Sequence, residues 1–108
     1  MSGVYIMLTR LELHEELCNV LGSRNVYFQP PASVHMSYPA IVYSVNNLDN
    51  HLADNDIYAQ NLQYQVIVID EDPDSEVFNR MRRYRRARFV RPYTADNLYH
   101  FVFTIYNN

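Results

Sequence analysis

The residues best placed to do chemistry in this 108-residue sequence are three aspartates at alternate positions, Asp70, Asp72 and Asp74. Alternating carboxylates of this kind begin calcium-binding loops, which need a glycine at the sixth position and a glutamate at the twelfth. Here Ser75 and Met81 occupy those two places, and a predicted strand precedes the loop where a helix is required. We therefore interpret the aspartates as the beginning of a helix, with Asp72 as its N-cap.

No other catalytic or metal-binding pattern stands out. The four histidines lack ligand spacing such as H-x-x-x-H, and Cys18 has no second cysteine to pair with. Cys18 and a distant histidine could in principle form a nucleophilic pair. The cysteine lies beside the apolar face of a predicted helix, however, where a buried thiol is the commoner case. We expect no enzyme activity, no metal and no cofactor.

A run of arginines is the strongest pattern in the chain. Residues 78–93 read FNRMRRYRRARFVRPY and hold seven of the nine basic residues, all of which are arginine. Helical periodicity places an apolar arc inward. The arginines Arg80, Arg82, Arg83 and Arg86 then form the outer face.

This arginine face is compatible with a protein interface, a solvated helix surface or a nucleic-acid contact. Contacts with several phosphates would bind nucleic acid strongly and in a salt-sensitive way. The chain as a whole is acidic, with a net charge of −3, and it contains no helix-turn-helix or ribonucleoprotein motif. The arginine fork pairs well with carboxylates and is enriched at protein interfaces. We favour the interface.

Charge is divided along the chain. Residues 1–76 carry eleven of the twelve acidic residues, whereas residues 77–108 carry seven of the nine arginines. Such a chain can attract copies of itself head to tail, in heterologous contacts that close into rings when the rotation permits. Alternatively, the two segments neutralise each other within one monomer.

The elements that must position these residues follow from periodicity and from capping signals. Residues 9–21 predict a helix with a capping box at Thr9 and Glu12, and Gly22 suits its end. Residues 40–45 and 57–70 predict strands, and Val66–Ile69 is apolar enough for a central strand. Pro73 suits the first position of a second helix, which we expect to run to about Arg85.

The remaining segments complete the fold class. The stretches ARFVRPY and LYHFVFTIY predict two strands joined by a hairpin at TADN. Residues 26–39 are rich in proline and predict an extended loop in which Tyr27 and Phe28 serve as packing anchors. Residues 46–56 predict a polar loop.

The order α-β-β-α-β-β predicts one α+β domain over residues 1–108, a mostly antiparallel sheet with two helices packed on it. We expect neither a signal peptide nor a membrane span, and a reducing intracellular compartment.

Four stretches together resemble a family of bacteriophage proteins. They are LHEEL, VYFQPPASVHMSYPAIVY, YQVIVIDEDPDSEVFNRM and DNLYHFVFTIY. In order and spacing, from about Thr9 to Tyr106, they are similar to tail terminators, or tail-completion proteins, of long-tailed phages. The most specific parts are Tyr27–Pro31 with Tyr38–Pro39, and Asp70–Ser75.

The resemblance implies a virion subunit at the head–tail junction, made in the host cytoplasm. It implies a hexameric ring that caps the head-proximal end of the tail tube, stops polymerisation of the tube protein and meets the head connector. DNA would pass through the lumen without specific recognition. The family offers no catalytic residues.

Our own interpretation assigns the subunit or partner interface to Arg80, Arg82, Arg83, Arg86, Asp70, Asp72, Asp74, Tyr27 and Phe28. A head-completion (stopper) protein of the neck and a small arginine-rich nucleic-acid-binding regulator remain as alternatives.

Overall fold

The computed structural model of the protein describes residues 8–46 and 62–107. Two helices and five strands make up this part of the chain. In chain order they are α1 (Arg10–Leu21), β1 (Val26–Phe28), β2 (Ala40–Val45), β3 (Leu62–Asp70), α2 (Glu76–Arg82), β4 (Ala87–Ala95) and β5 (Leu98–Asn107). The predicted α+β class is confirmed.

The strands form a single sheet in the order β1-β2-β3-β5-β4, in which only β1 and β2 run parallel. The prediction of an extended loop over residues 26–39 is wrong at Val26–Phe28, which form β1 and pair with Ile41–Tyr43. These three residues are β-branched or aromatic and favour a strand. The prolines begin only at Pro30, so they remove no hydrogen-bond donor from β1.

Helix α1 begins and ends as its sequence predicts. The Thr9 hydroxyl accepts a hydrogen bond from the Glu12 amide (3.1 Å), and the Glu12 carboxylate accepts one from the Thr9 amide (2.9 Å). Gly22 ends the helix in the left-handed conformation, with φ of 89°, and donates its amide to the Cys18 carbonyl. Residues close in the chain therefore determine where α1 begins and where it ends.

Both helices pack on the same face of the sheet. Strand β3 lies between β2 and β5, as its apolar sequence predicts, and Val66 and Val68 on β3 are fully buried beneath the helices. The helices contribute a single set of core side chains: Leu13, Leu17, Cys18, Leu21, Val77 and Met81. Burying a side chain of this size contributes about 1.5–3 kcal/mol. This face of the sheet holds the core.

Helix α2 is shorter than predicted at both ends. Its N-cap is Ser75 and not Asp72, and its last residue is Arg82 and not Arg85. The aspartates before Ser75 bond to nearby backbone amides and form a turn, which competes with helix. After Arg82 the chain continues towards β4 in turns closed by hydrogen bonds between residues three apart, such as that from the Tyr84 amide to the Met81 carbonyl.

The hairpin between β4 and β5 is confirmed. Asp96 and Asn97 have φ values of 55° and 64°, the left-handed conformation that tight two-residue hairpin turns require. The polar loop predicted at residues 46–56 lies, apart from Asn46, outside the described residues. So does the predicted beginning of the long strand at residues 57–61.

Candidate interaction surfaces

Arg80 lies between the two helices. Its Nε donates to the Val20 carbonyl (2.6 Å) and its Nη2 donates to the Leu21 carbonyl (2.9 Å). These carbonyls belong to the last turn of α1, where no intrahelical donor is available and where a positive charge is favourable. The last turn of α1 contains no basic residue of its own. Arg80 therefore caps α1 from another part of the chain.

A second polar contact joins α1 to the segment after α2. The Tyr84 hydroxyl donates a short hydrogen bond to the Glu16 carboxylate. Burial, together with this bond, raises the pKa of Tyr84 well above its ordinary value. Arg80, through its guanidinium, and Tyr84, through its phenol, thus connect the predicted amphipathic helix to α1.

The other arginines of the predicted interface take different positions. Arg86 is half-buried and directs its Nη1 towards the Asn107 side chain at 3.5 Å. Arg82 and Arg83 are exposed at the carboxyl end of α2. The Arg82 guanidinium lies 5.4 Å from the centre of the Phe78 ring. Arg82 and Arg83 are the members of the set that face solvent.

The three aspartates of the predicted interface also differ in burial. Asp70 is buried, and its carboxylate accepts hydrogen bonds from the Ser75 hydroxyl (2.7 Å) and the Asp72 amide (3.1 Å). Ser75 in turn caps α2 by accepting the Phe78 amide. Asp72 and Asp74 are exposed. Asp70 therefore stabilises the turn, and Asp72 and Asp74 place negative charge on its solvent-exposed side.

Opposite charges lie at the two ends of α2. Four exposed carboxylates precede or begin the helix, and we call them the acidic turn: Glu71, Asp72, Asp74 and Glu76. Arg82 and Arg83, which we call the arginine end, lie one helix length away, roughly 10 Å along the axis. Within residues 8–46 and 62–107, the salt bridge observed joins Arg24 to Glu15. It involves no residue of the acidic turn or of the arginine end.

Tyr27 and Phe28 lie on β1, at the opposite edge of the sheet from β4. Phe28 faces the helices, where it contacts the Tyr43 ring at 4.9 Å and the Arg10 guanidinium at 4.5 Å. Because neighbouring residues of a strand point to opposite faces, Tyr27 faces away from the helices. The structure therefore places the predicted interface residues in three separate regions of the molecule.

A polar cluster and the cysteine lie within the helix layer. The buried Tyr43 hydroxyl is 2.7 Å from His14 Nδ1 and accepts a hydrogen bond from Arg10 Nη1 at 3.3 Å. Burial, with the nearby Arg10 charge, lowers the pKa of His14. Burial also raises the pKa of Cys18, so its thiol is a poor nucleophile. The cluster satisfies the polar end of a core tyrosine.

Comparison with protein-family models, with curated proteins and with solved structures gave no match for this chain. The described residues include no group of three or more His, Cys, Asp or Glu side chains arranged to hold a metal ion. In the same part of the chain, neither helix is long and apolar enough to cross a membrane.

Sequence reasoning missed part of the charged surface. Glu71 and Glu76 extend the acidic turn, and both could have been found from their position beside the aspartates. Arg88 and Arg91 lie on β4 and face the same side of the sheet. On a regular strand, two residues three positions apart face opposite sides of the sheet. The sequence alone therefore gives no indication that Arg88 and Arg91 share a face.

Replacing Arg80 with alanine is expected to destabilise the fold. The change removes two hydrogen bonds from a charged donor to helix-end carbonyls, and such bonds contribute about 1.5–3 kcal/mol each in other proteins. Urea unfolding measures the decrease in the free energy of unfolding. Arg80→Lys should recover only part of it, because an ammonium cannot reproduce the planar fork. Arg82→Ala is the matched control and should lose less than about 1 kcal/mol. Equal losses for Arg80→Ala and Arg82→Ala would contradict the capping role.

Proposed function

We propose that this protein is a structural subunit of a phage virion, a tail terminator that forms a ring at the head–tail junction. The family resemblance of the four sequence stretches suggests this role. On this proposal the ring binds the last ring of tail-tube protein on one side and the head connector on the other. The function needs shape and subunit contacts and no catalytic group.

One observation carries the proposal, the placement of opposite charges at the two ends of α2. The acidic turn and the arginine end lie at opposite ends of α2, and within the described residues no salt bridge joins them. Copies of the chain can satisfy both clusters if the arginine end of one copy meets the acidic turn of the next. Such a contact is heterologous, and it repeats around a ring.

The composition of the two clusters also suits a joint between proteins. Arginine pairs with carboxylates through two parallel hydrogen bonds, which fixes orientation as well as attraction. Because Asp70 and Ser75 hold the acidic turn and Arg80 fixes α2 against α1, both clusters are presented by ordered backbone. A preordered joint loses less conformational entropy on assembly.

A phage that lacks this gene tests the function directly. Negative-stain images of its particles should show tails of uncontrolled, excessive length, because nothing stops polymerisation of the tube. Heads that lose their DNA would instead assign the stopper role in the neck. Particles with normal tails and filled heads would contradict both assignments.

Charge reversal tests the joint. Arg83→Glu and Asp74→Arg should each prevent ring assembly, because each places like charges in contact. An equimolar mixture of the two variants should assemble again, since alternating copies restore an opposite pair at every joint. Light scattering, with and without tail tubes, measures the assembled mass.

The matched control is Arg91→Glu, which makes the same change in net charge on the face of the sheet that lies away from the helices. This variant should assemble like the parent chain. Thermal unfolding followed by circular dichroism verifies that all three variants fold. Assembly that survives both Arg83→Glu and Asp74→Arg would show that these side chains are merely solvated.

A further inference from the structure

The face of the sheet opposite the helices carries a second basic surface. On β4 and β5 the side chains of this face, which we call the outer platform, include Arg88, Arg91, Tyr93, His100, Thr104 and Tyr106. Neither strand contains an acidic residue, and on β3 the single acid, Asp70, belongs to the helix-covered face. Among the described strand residues of this face, Arg88 and Arg91 are charged and none is acidic, which gives this part of an acidic chain a locally positive character.

A β-bulge brings the two arginines of this surface together. Phe89 pairs with Phe103 and Arg91 pairs with Val102, so Val90 is an extra residue in β4. The bulge reverses the alternation of the strand, which places Arg88 beside Thr104 and Arg91 beside Val102 on one face. The two partners on β5 are two residues apart, so the arginines repeat at about 7 Å along the strand.

Aromatic rings continue the surface beyond the arginines. The Tyr93 ring stacks on His100 with 4.6 Å between centres and 17° between planes. The Arg91 guanidinium lies 5.2 Å from the centre of the Tyr93 ring. His100 Nδ1 donates to the Leu98 carbonyl at 3.1 Å, which fixes the imidazole under the tyrosine. Tyr93 and Tyr106 remain 37% and 42% exposed.

This surface lies at the edge of the sheet that the helices leave most open. Every residue of β4 from Arg88 to Thr94 is exposed, whereas the residues of β5 beside it are buried or half-buried, except for the exposed Tyr106. Neither the joint formed by the acidic turn and the arginine end nor the core uses these side chains. Within residues 8–46 and 62–107, these side chains therefore remain available to a different partner while the helix side of the molecule contacts other copies of the chain.

We propose that the outer platform binds single-stranded nucleic acid without sequence preference. Successive phosphates of an extended strand would contact Arg88 and Arg91, and a base would stack on Tyr93. Basic side chains that track a backbone, with exposed aromatic rings for the bases, are the two components of non-specific single-strand binding. The inference stands apart from the proposed role in the virion, which depends on the other side of the molecule.

Nuclear magnetic resonance of the ¹⁵N-labelled full chain, titrated with a thymidine 15-mer at low salt, tests the proposal. Amide shifts should concentrate on β4 and β5 around Arg88, Arg91 and Tyr93. Tyr93→Ala should weaken binding at least about fivefold through loss of stacking. Arg88→Gln and Arg91→Gln should each flatten the slope of log K against log salt concentration by about 0.7, the value for one phosphate contact with a single strand.

Arg24→Gln is the matched control, because it removes the same charge at an exposed residue outside both the outer platform and the arginine end, and it should leave the binding unchanged. A duplex of the same length and a polyglutamate peptide should both compete poorly. Shifts that are absent, or that centre on Arg82 and Arg83, would overturn the proposal. Equal competition by the duplex with no effect of Tyr93→Ala, or equal competition by polyglutamate, would also overturn it.

Discussion

In the described part of the chain, both helices cover the same face of the sheet, and they are too short to cover all of it. Helix α2 has seven residues and a length of roughly 10 Å, whereas the nine residues of β4 extend about 30 Å. The helix therefore shields only the first part of β4. This mismatch leaves the far end of the helix layer and the edge of the sheet available for contacts with other molecules.

The helix layer depends on charged residues that the fold uses internally. Arg80 supplies the donors that the end of α1 lacks, and Asp70 accepts the hydroxyl of the serine that caps α2. Each lies among residues of the same charge, and each directs its polar group towards the interior of the fold. Their neighbours are held outward as a result, so the same contacts that stabilise the helices also present the two charge clusters.

Much of the architecture could be predicted from the sequence. The capping box at Thr9, the apolar run of β3 and the hairpin at Asp96 and Asn97 all depend on interactions between residues close in the chain. The boundaries of α2 could not be predicted in this way. Pro73 after Asp72 is a good helix start in isolation, but the Asp70–Ser75 hydrogen bond stabilises a turn there instead.

The candidate surfaces were predicted less completely, because they depend on pairing between distant segments. A helical wheel places Arg80 with the other arginines of the outer face and cannot reveal that the carbonyls of Val20 and Leu21 lie within its reach. The register of β4 depends on the extra residue Val90. Nothing in the neighbouring sequence marks it, so the shared face of Arg88 and Arg91 emerges only from the folded sheet.

The central claim is that opposite charges at the ends of α2 join copies of this chain. Sedimentation velocity of the unaltered protein across a series of sodium chloride concentrations tests it most directly, because exposed charges are screened over about 10 Å at 0.1 M salt and about 3 Å at 1 M. The account predicts association at low salt that is progressively lost as salt rises. A sedimentation coefficient that stays monomeric at every salt concentration, or association that strengthens with salt, would contradict it.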